Sequence, residues 1–145
     1  MFSPNPPYID VDNPVGTYRR TFTVPQNWQG REVLLHFGSI SGYARIYVNG
    51  QQVGMTKASK TPAEFNVTNY LKKGENLLAV QVYRWHDGSY MEDQDFWRLS
   101  GIERDVFLTA YPQTTIWDFF LHAGLDDTYR HGQFRATVDL RSFNA

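Results

Sequence analysis

An all-β fold, arranged as a two-sheet sandwich, is what this sequence predicts, and three observations carry the prediction. Turn signals recur at short intervals: Asn13-Pro14, Pro25-Gln26-Asn27, Gln29-Gly30, Gly38 to Gly42, Asn49-Gly50, Lys73-Gly74, Asp87-Gly88 and Ser100-Gly101. The runs between them are short and rich in Val, Ile, Tyr, Phe and Thr, the residues that suit a pleated, half-buried surface. No stretch carries the period of a long helix, and at least seven strands without one must pack sheet on sheet.

The elements follow in order. Tyr18 to Val24 alternates, with Tyr18, Arg20, Phe22 and Val24 on one side and Arg19, Thr21 and Thr23 on the other. That period of two predicts a strand with one solvated face. Val33-Leu34-Leu35-His36-Phe37 is a second strand. Tyr43 to Val48, Asn49-Gly50 and Gln51 to Gly54 form a hairpin, because Asn-Gly tolerates the positive φ angles of a type I′ turn. Phe65 to Leu71 holds a short helical turn capped by Thr68. Asn76 to Tyr83 is the cleanest strand, with Leu78, Val80 and Val82 facing inward, and Asp105 to Ala110 closes the unit. Pro112-Gln113-Thr114-Thr115 marks a boundary. Beyond it, Ile116 to Leu121 and Gly132 to Leu140 read as two strands around a turn at Asp126-Asp127-Thr128. A lone hairpin is marginal in water, so this tail is expected to lean on the first unit or on a neighbouring chain.

A chain of 145 residues makes one ordinary domain with room for an appendage, and it buries a core without staples. Charge is nearly balanced, 14 basic against 15 acidic residues, with no basic block; nucleic acid and anionic membranes are therefore excluded as expected partners. The absence of cysteine rules out disulfides and thiol chemistry. The apolar runs fall far short of a membrane span. Met1 to Pro7 is Pro-rich and lacks the charged and apolar regions of a signal peptide. Aromatic content is high, at 16%. Composition alone attributes it to the core, and position along the chain has to decide how much of it faces a ligand.

One segment stands apart. Residues 84 to 97 hold four carboxylates (Asp87, Glu92, Asp93, Asp95), His86 and two tryptophans, Trp85 and Trp97. A solvated loop rarely holds so many rings, and a core strand rarely so many acids. The mixture suits a pocket for a polyhydroxylated ring, with aromatic walls and carboxylate acceptors. If the segment is extended, Asp93 and Asp95 share a face and Glu92 takes the other. The alternative is a loop braced by its own salt bridges to Arg84, Arg98 or Arg104; we assign that structural role to Glu92 and Asp93 first, and a binding role to Asp95. Asp87-Gly88 reads as a turn, and no spacing of ligands supports a metal role for Asp87. His86 reads as a hydrogen-bonded structural histidine. One of Trp85 and Trp97 is expected in the core and one at a rim. His36, His122 and His131 have no zinc-ligand spacing. Ser89 and Ser100 lack a nucleophile elbow, and Gly38-Ser39-Ile40-Ser41-Gly42 lacks the Lys and helix of a phosphate loop.

The string RWHDGSYMEDQDFWRLSGIERDVFL, residues 84 to 108, closely resembles the signature of the amino-terminal sugar-binding domain of family 2 glycoside hydrolases, and its β-galactosidase branch matches best. The likeness extends through Asn13 to Tyr18, Val48-Asn49-Gly50, Pro62 to Phe65 and Gly74-Glu75-Asn76, and covers roughly residues 4 to 111 with order and spacing intact. The resemblance implies a jelly-roll β-sandwich, galactose-binding-domain-like, over 1-111. It also implies that 112-145 is the linker and first strands, an incomplete β-hairpin, of a truncated immunoglobulin-like β-sandwich domain.

It implies further that the chain is the non-catalytic part of a retaining β-galactosidase whose acid/base and nucleophile lie on a separate barrel, so that the fragment alone is inactive. In that frame Asp95 touches the galactosyl ring and helps hold a sodium ion; Trp97, Glu92 and Asp93 are the accompanying substrate-binding candidates. A sodium ion is the expected cofactor of the parent active site, with magnesium as a second candidate there. The expected partners are a β-galactoside and the remaining domains of the parent, and a homo-oligomer is compatible with the chain. In β-galactosidases of this kind an upstream Asn-Val-x-Tyr-Pro segment supplies a further sugar contact, and this chain starts at the Pro-rich stretch that follows it. Two other readings stay open: a free-standing carbohydrate-binding module and a ligand-free structural β-sandwich.

Overall fold

A computed structural model of the chain describes residues 5–92, 95 and 97–144. Eleven strands run in chain order among them: β1 (Val15–Thr23), β2 (Glu32–Phe37), β3 (Ile40–Ser41), β4 (Tyr43–Val48), β5 (Gln51–Thr56), β6 (Ala63–Asn66), β7 (Glu75–Tyr83), β8 (Gly101–Ile102), β9 (Val106–Tyr111), β10 (Thr114–Leu125) and β11 (Gly132–Ser142). The helical content is three 3₁₀ turns, at Gln26–Trp28, Thr68–Tyr70 and Asp87–Tyr90. One sheet has the order β1-β7-β4-β5 and a second the order β6-β2-β9; β3 and β8 form a short ladder, and β10 and β11 pair with each other.

The two larger sheets pack face to face, because one buried cluster draws on both. Val33, Leu35 and Phe37 of β2 meet Ala44, Ile46 and Val48 of β4 and Val80 and Val82 of β7, with Ile40 and Val67. The inward assignment of Val80 and Val82 holds, and Leu78 packs against the cluster half-buried. Strand β2 does not alternate, since Leu34 is buried as well; it is the central strand of its sheet. On β1 the predicted face is weaker than expected. The strand lies at a sheet edge, so Tyr18 and Arg20 stay exposed and burial reaches only Phe22, with Val24 beyond the strand.

The predicted hairpin forms between β4 and β5, with Asn49 at φ 52° and Gly50 at φ 83°. Asn49 then links this turn to β7: its amide donates to Tyr70 O and to Asn76 Oδ1, each at 2.8 Å, and its Oδ1 accepts from Leu77 N at 3.0 Å. The helical turn at Thr68–Tyr70 also forms, but Thr68 does not cap it. Val67 occupies the cap position, with no side-chain cap bond. The Thr68 hydroxyl instead accepts from Val33 N at 2.8 Å and sits 2.7 Å from Asn66 Oδ1 and 3.0 Å from Glu32 Oε2, where it joins the turn to β2. The short strands β3, β6 and β8 were not legible as strands.

The β10–β11 hairpin is longer than predicted and bulges at Trp117, between Ile116 and Asp118. Cross-strand pairs Ile116–Leu140, Phe119–Val138, Leu121–Ala136 and Ala123–Phe134 put apolar side chains on one face, and these residues are exposed. Its root leans on the sandwich: Gln113 Nε2 donates to Gly30 O at 2.9 Å, and the Trp117 ring lies 6.0 Å from that of Tyr111.

Candidate functional site

Strand β7 ends at Tyr83, and the chain leaves the core there to build the aromatic and acidic segment at one end of the sandwich. A 3₁₀ turn over Asp87–Tyr90 opens it. His86 caps this turn reciprocally: Gly88 N donates to His86 Nδ1 at 3.2 Å, and His86 N donates to Ser89 Oγ at 3.1 Å. The structural role expected of His86 is therefore what the backbone uses it for. Because Nδ1 accepts, the proton of the neutral ring is assigned to Nε2.

The segment faces the Ser41-Gly42 corner and the turn at Ser59-Lys60 across a cleft of about 330 Å³. Trp85, His86, Glu92 and Trp97 line its far side. Gly42 is obligatory in that corner: its φ is +103°, and a Cβ there would fall 2.4 Å from the carbonyl oxygen of Tyr83. Its N–H donates to Ser59 Oγ at 3.1 Å, which fixes the corner against the 59–60 turn. The expected division into a core and a rim tryptophan holds for Trp97 only, because Trp85 lines the cleft and stays outside the core cluster. Trp85 is half-buried, with the Arg84 guanidinium 4.7 Å from its ring centre; Trp97 is 84% exposed at the rim.

The acids fall into different roles. Asp87 pairs with Lys57, Nζ to Oδ2 at 2.7 Å, and this ammonium holds its carboxyl below the usual range. Glu92 Oε1 accepts from Ser59 N at 3.3 Å, and its Oε2 lies 3.6 Å from His86 Nε2. It thus ties the segment to the 59–60 turn. Asp95 is exposed and stands outside the cleft lining. Asp93 lies outside the described residues. Among the described residues no three His, Asp or Glu side chains converge on a metal position. Asp95 fits a hard cation as a single oxygen ligand and no more.

Sequence reasoning passed over Glu103. Its carboxylate accepts from Ser39 Oγ at 3.1 Å, Ser41 Oγ at 2.8 Å and Lys60 Nζ at 3.0 Å, and so holds both serines of Gly38 to Gly42 and the neighbouring wall of the cleft. Burial pushes its pKa up, but the hydrogen bonds from Ser41, Lys60 and Ser39 outweigh that and leave it lowered. A lowered folded-state pKa contributes stability that is complete above the ordinary carboxylate range and is lost as pH falls through the folded value. Glu103→Gln is therefore expected to flatten the acid limb of a melting-temperature against pH curve. An acid limb identical to that of the unaltered chain would refute the assignment.

A β-sandwich that collects rings, acids and a capped histidine around a polar cleft at one end belongs to the class of sandwich modules that meet polar ligands through end loops. Comparison names the family. Residues 2–112 match the sugar binding domain of glycosyl hydrolases family 2, and the chain belongs to that family, with its jelly-roll sandwich.

Over 139 residues the chain is 45% identical to a β-galactosidase of Priestia megaterium (strain DSM 319 / IMG 1521), covering 95% of this chain and 13% of that protein. It is 44% identical to a β-galactosidase of Vibrio cholerae serotype O1 (strain ATCC 39541 / Classical Ogawa 395 / O395), covering 96% and 14%. The chain thus spans about one seventh of the length of these relatives. Among solved structures, a β-glucuronidase from an uncultured Clostridium sp. aligns with a TM-score of 0.75 and 32% identity, over 87% of this chain and 24% of that one. Bacteroides uniformis β-glucuronidase 2, covalently bound to cyclophellitol-6-carboxylate aziridine, aligns with a TM-score of 0.70 and 32% identity, over 79% and 15%.

Proposed function

We propose that this chain is the non-catalytic sugar-binding domain of a retaining β-galactosidase and forms one wall of the parent enzyme's active site. The observation that carries this reading is the 45% identity to a β-galactosidase across nearly the whole chain, against 32% to the β-glucuronidases. In the parent, retention requires two carboxyl groups flanking the scissile bond, one acting as nucleophile and one as acid then base. Those are supplied by a barrel domain of the parent. The part of this chain is to present the 84–102 segment to the substrate, with Asp95 and Trp97 foremost and Glu92 and Asp93 behind. Asp95 adds one carboxylate to a sodium site whose other ligands come from the barrel; magnesium, where present, is held by the barrel as well. The hairpin β10–β11 begins an immunoglobulin-like domain, which accounts for its bare apolar face.

The test is a panel of chromogenic glycosides offered to the parent enzyme and to this chain alone. The parent is expected to release aglycone fastest from the β-galactoside, ahead of the β-glucuronide and β-mannoside, and the chain alone to give background. A parent that prefers the β-glucuronide, or turnover by the isolated chain, contradicts the reading.

A further inference from the structure

His86 Nε2 is buried and has no hydrogen-bond partner among the described residues. Its residue is 7% exposed and lines the cleft. A buried ring N–H left unpaired is costly, and nothing in the capping of the 87–90 turn needs it, since that work is done at Nδ1. Among the described residues, Oε2 of Glu92 lies 3.6 Å from it. That is too long for a direct bond, and a turn of the Glu92 carboxylate that opens the gap to about 5 Å lets one oxygen atom bridge it, at about 2.8 Å to each side. The bridging atom must accept from Nε2–H and donate to a carboxylate. A hydroxyl does both, whereas an ammonium, a carbonyl or an anion satisfies at most one side.

We propose that the cleft is a carbohydrate contact separate from Asp95, in which one sugar hydroxyl bridges His86 Nε2 and the Glu92 carboxylate. The inference rests on the sugar-binding reading above and deepens it. It turns the structural histidine of the turn into a ligand-facing donor, and it makes Glu92 an acceptor for substrate as well as a tie to Ser59. The Glu92 side chain is 34% exposed, so its carboxylate has room to turn and admit the hydroxyl. The exposed Trp97 at the rim offers a ring face to the C–H face of the same sugar.

The test is NMR of the 15N-labelled chain titrated with methyl β-galactoside and its singly deoxygenated analogues. The expected result is a saturable shift of the His86 imidazole nitrogens and the Glu92 amide, lost with one deoxy analogue only. Glu92→Gln and His86→Gln, checked for an otherwise unchanged spectrum, should each weaken binding about tenfold, the loss of one charge-assisted or buried hydrogen bond. If the glycoside shifts Asp95 and the Trp97 indole but leaves the His86 ring unmoved, this proposal is wrong and the sugar-binding reading stands. If nothing moves, this proposal is wrong, whereas the sugar-binding reading, whose remaining contacts come from the barrel, is decided by the parent enzyme. Equal His86 shifts with every deoxy analogue mean that a water bridges the pair, and this also overturns the proposal.

Discussion

Phe37→Ala is expected to be among the most damaging substitutions in the chain. The ring is fully buried on β2, inside the cluster shared by both sheets, and meets Phe65 edge-on with centroids 6.1 Å apart. Its removal leaves a cavity that two sheets cannot readily collapse into, at a cost of about 3–5 kcal/mol. Domains of this size are stable by about 5–15 kcal/mol, so a substantial part of the fold's stability goes with that one ring. Urea titration measures it, and a loss below about 1 kcal/mol would show that the sheets do not meet at β2.

Asn76→Leu should cost nearly as much for a different reason. Asn76 is fully buried at the start of β7. Its Oδ1 accepts from Asn49 Nδ2 at 2.8 Å and from Lys72 N at 2.9 Å, and its Nδ2 donates to Lys72 O at 3.0 Å and Gly74 O at 3.1 Å. Leucine matches its size and satisfies none of these. Lys72 and Gly74 are exposed and recover water, but Asn49, which also holds the β4–β5 turn, loses one of the two acceptors of its amide. At about 1–3 kcal/mol for each buried group left unpaired, a loss of about 2–4 kcal/mol is expected in the same titration. Stability within error of the unaltered chain would mean that the network is solvated.

The parts of this molecule that were legible in its sequence are those fixed by local chemistry. The β4–β5 turn follows from Asn49-Gly50, and the phase of β7 follows from alternation in a strand with one face in the core. The parts that were not legible depend on distant partners. Strands β3 and β8 are two residues each and exist because Ile40 and Ser41 meet Ile102 and Gly101; no local pattern announces such a pair. Thr68 looked like a cap because capping is its commonest local use, yet its hydroxyl serves β2, some thirty-five residues away. The candidate site divides in the same way. The density of rings and acids after β7 marked the segment. The cleft's opposite wall was invisible, because Ser59, Lys60 and Glu103 come together only through folding. Glu92 reads as structural from the sequence, and its tie to Ser59 agrees with that; the gap it leaves to His86 exists only in three dimensions.

The most direct measurement of the central claim is the kinetics of the parent enzyme carrying Asp95→Asn, taken beside its melting temperature on the same preparation. The substitution keeps the shape and removes the charge. If Asp95 reaches the galactosyl ring and the sodium ion, kcat/KM for the β-galactoside falls by the worth of a charge-assisted hydrogen bond, about 1.5–3 kcal/mol. In that case dependence on sodium weakens and the melting temperature holds. An unchanged kcat/KM and sodium response, with a lowered melting temperature, would instead make Asp95 a brace for its own loop and contradict the account.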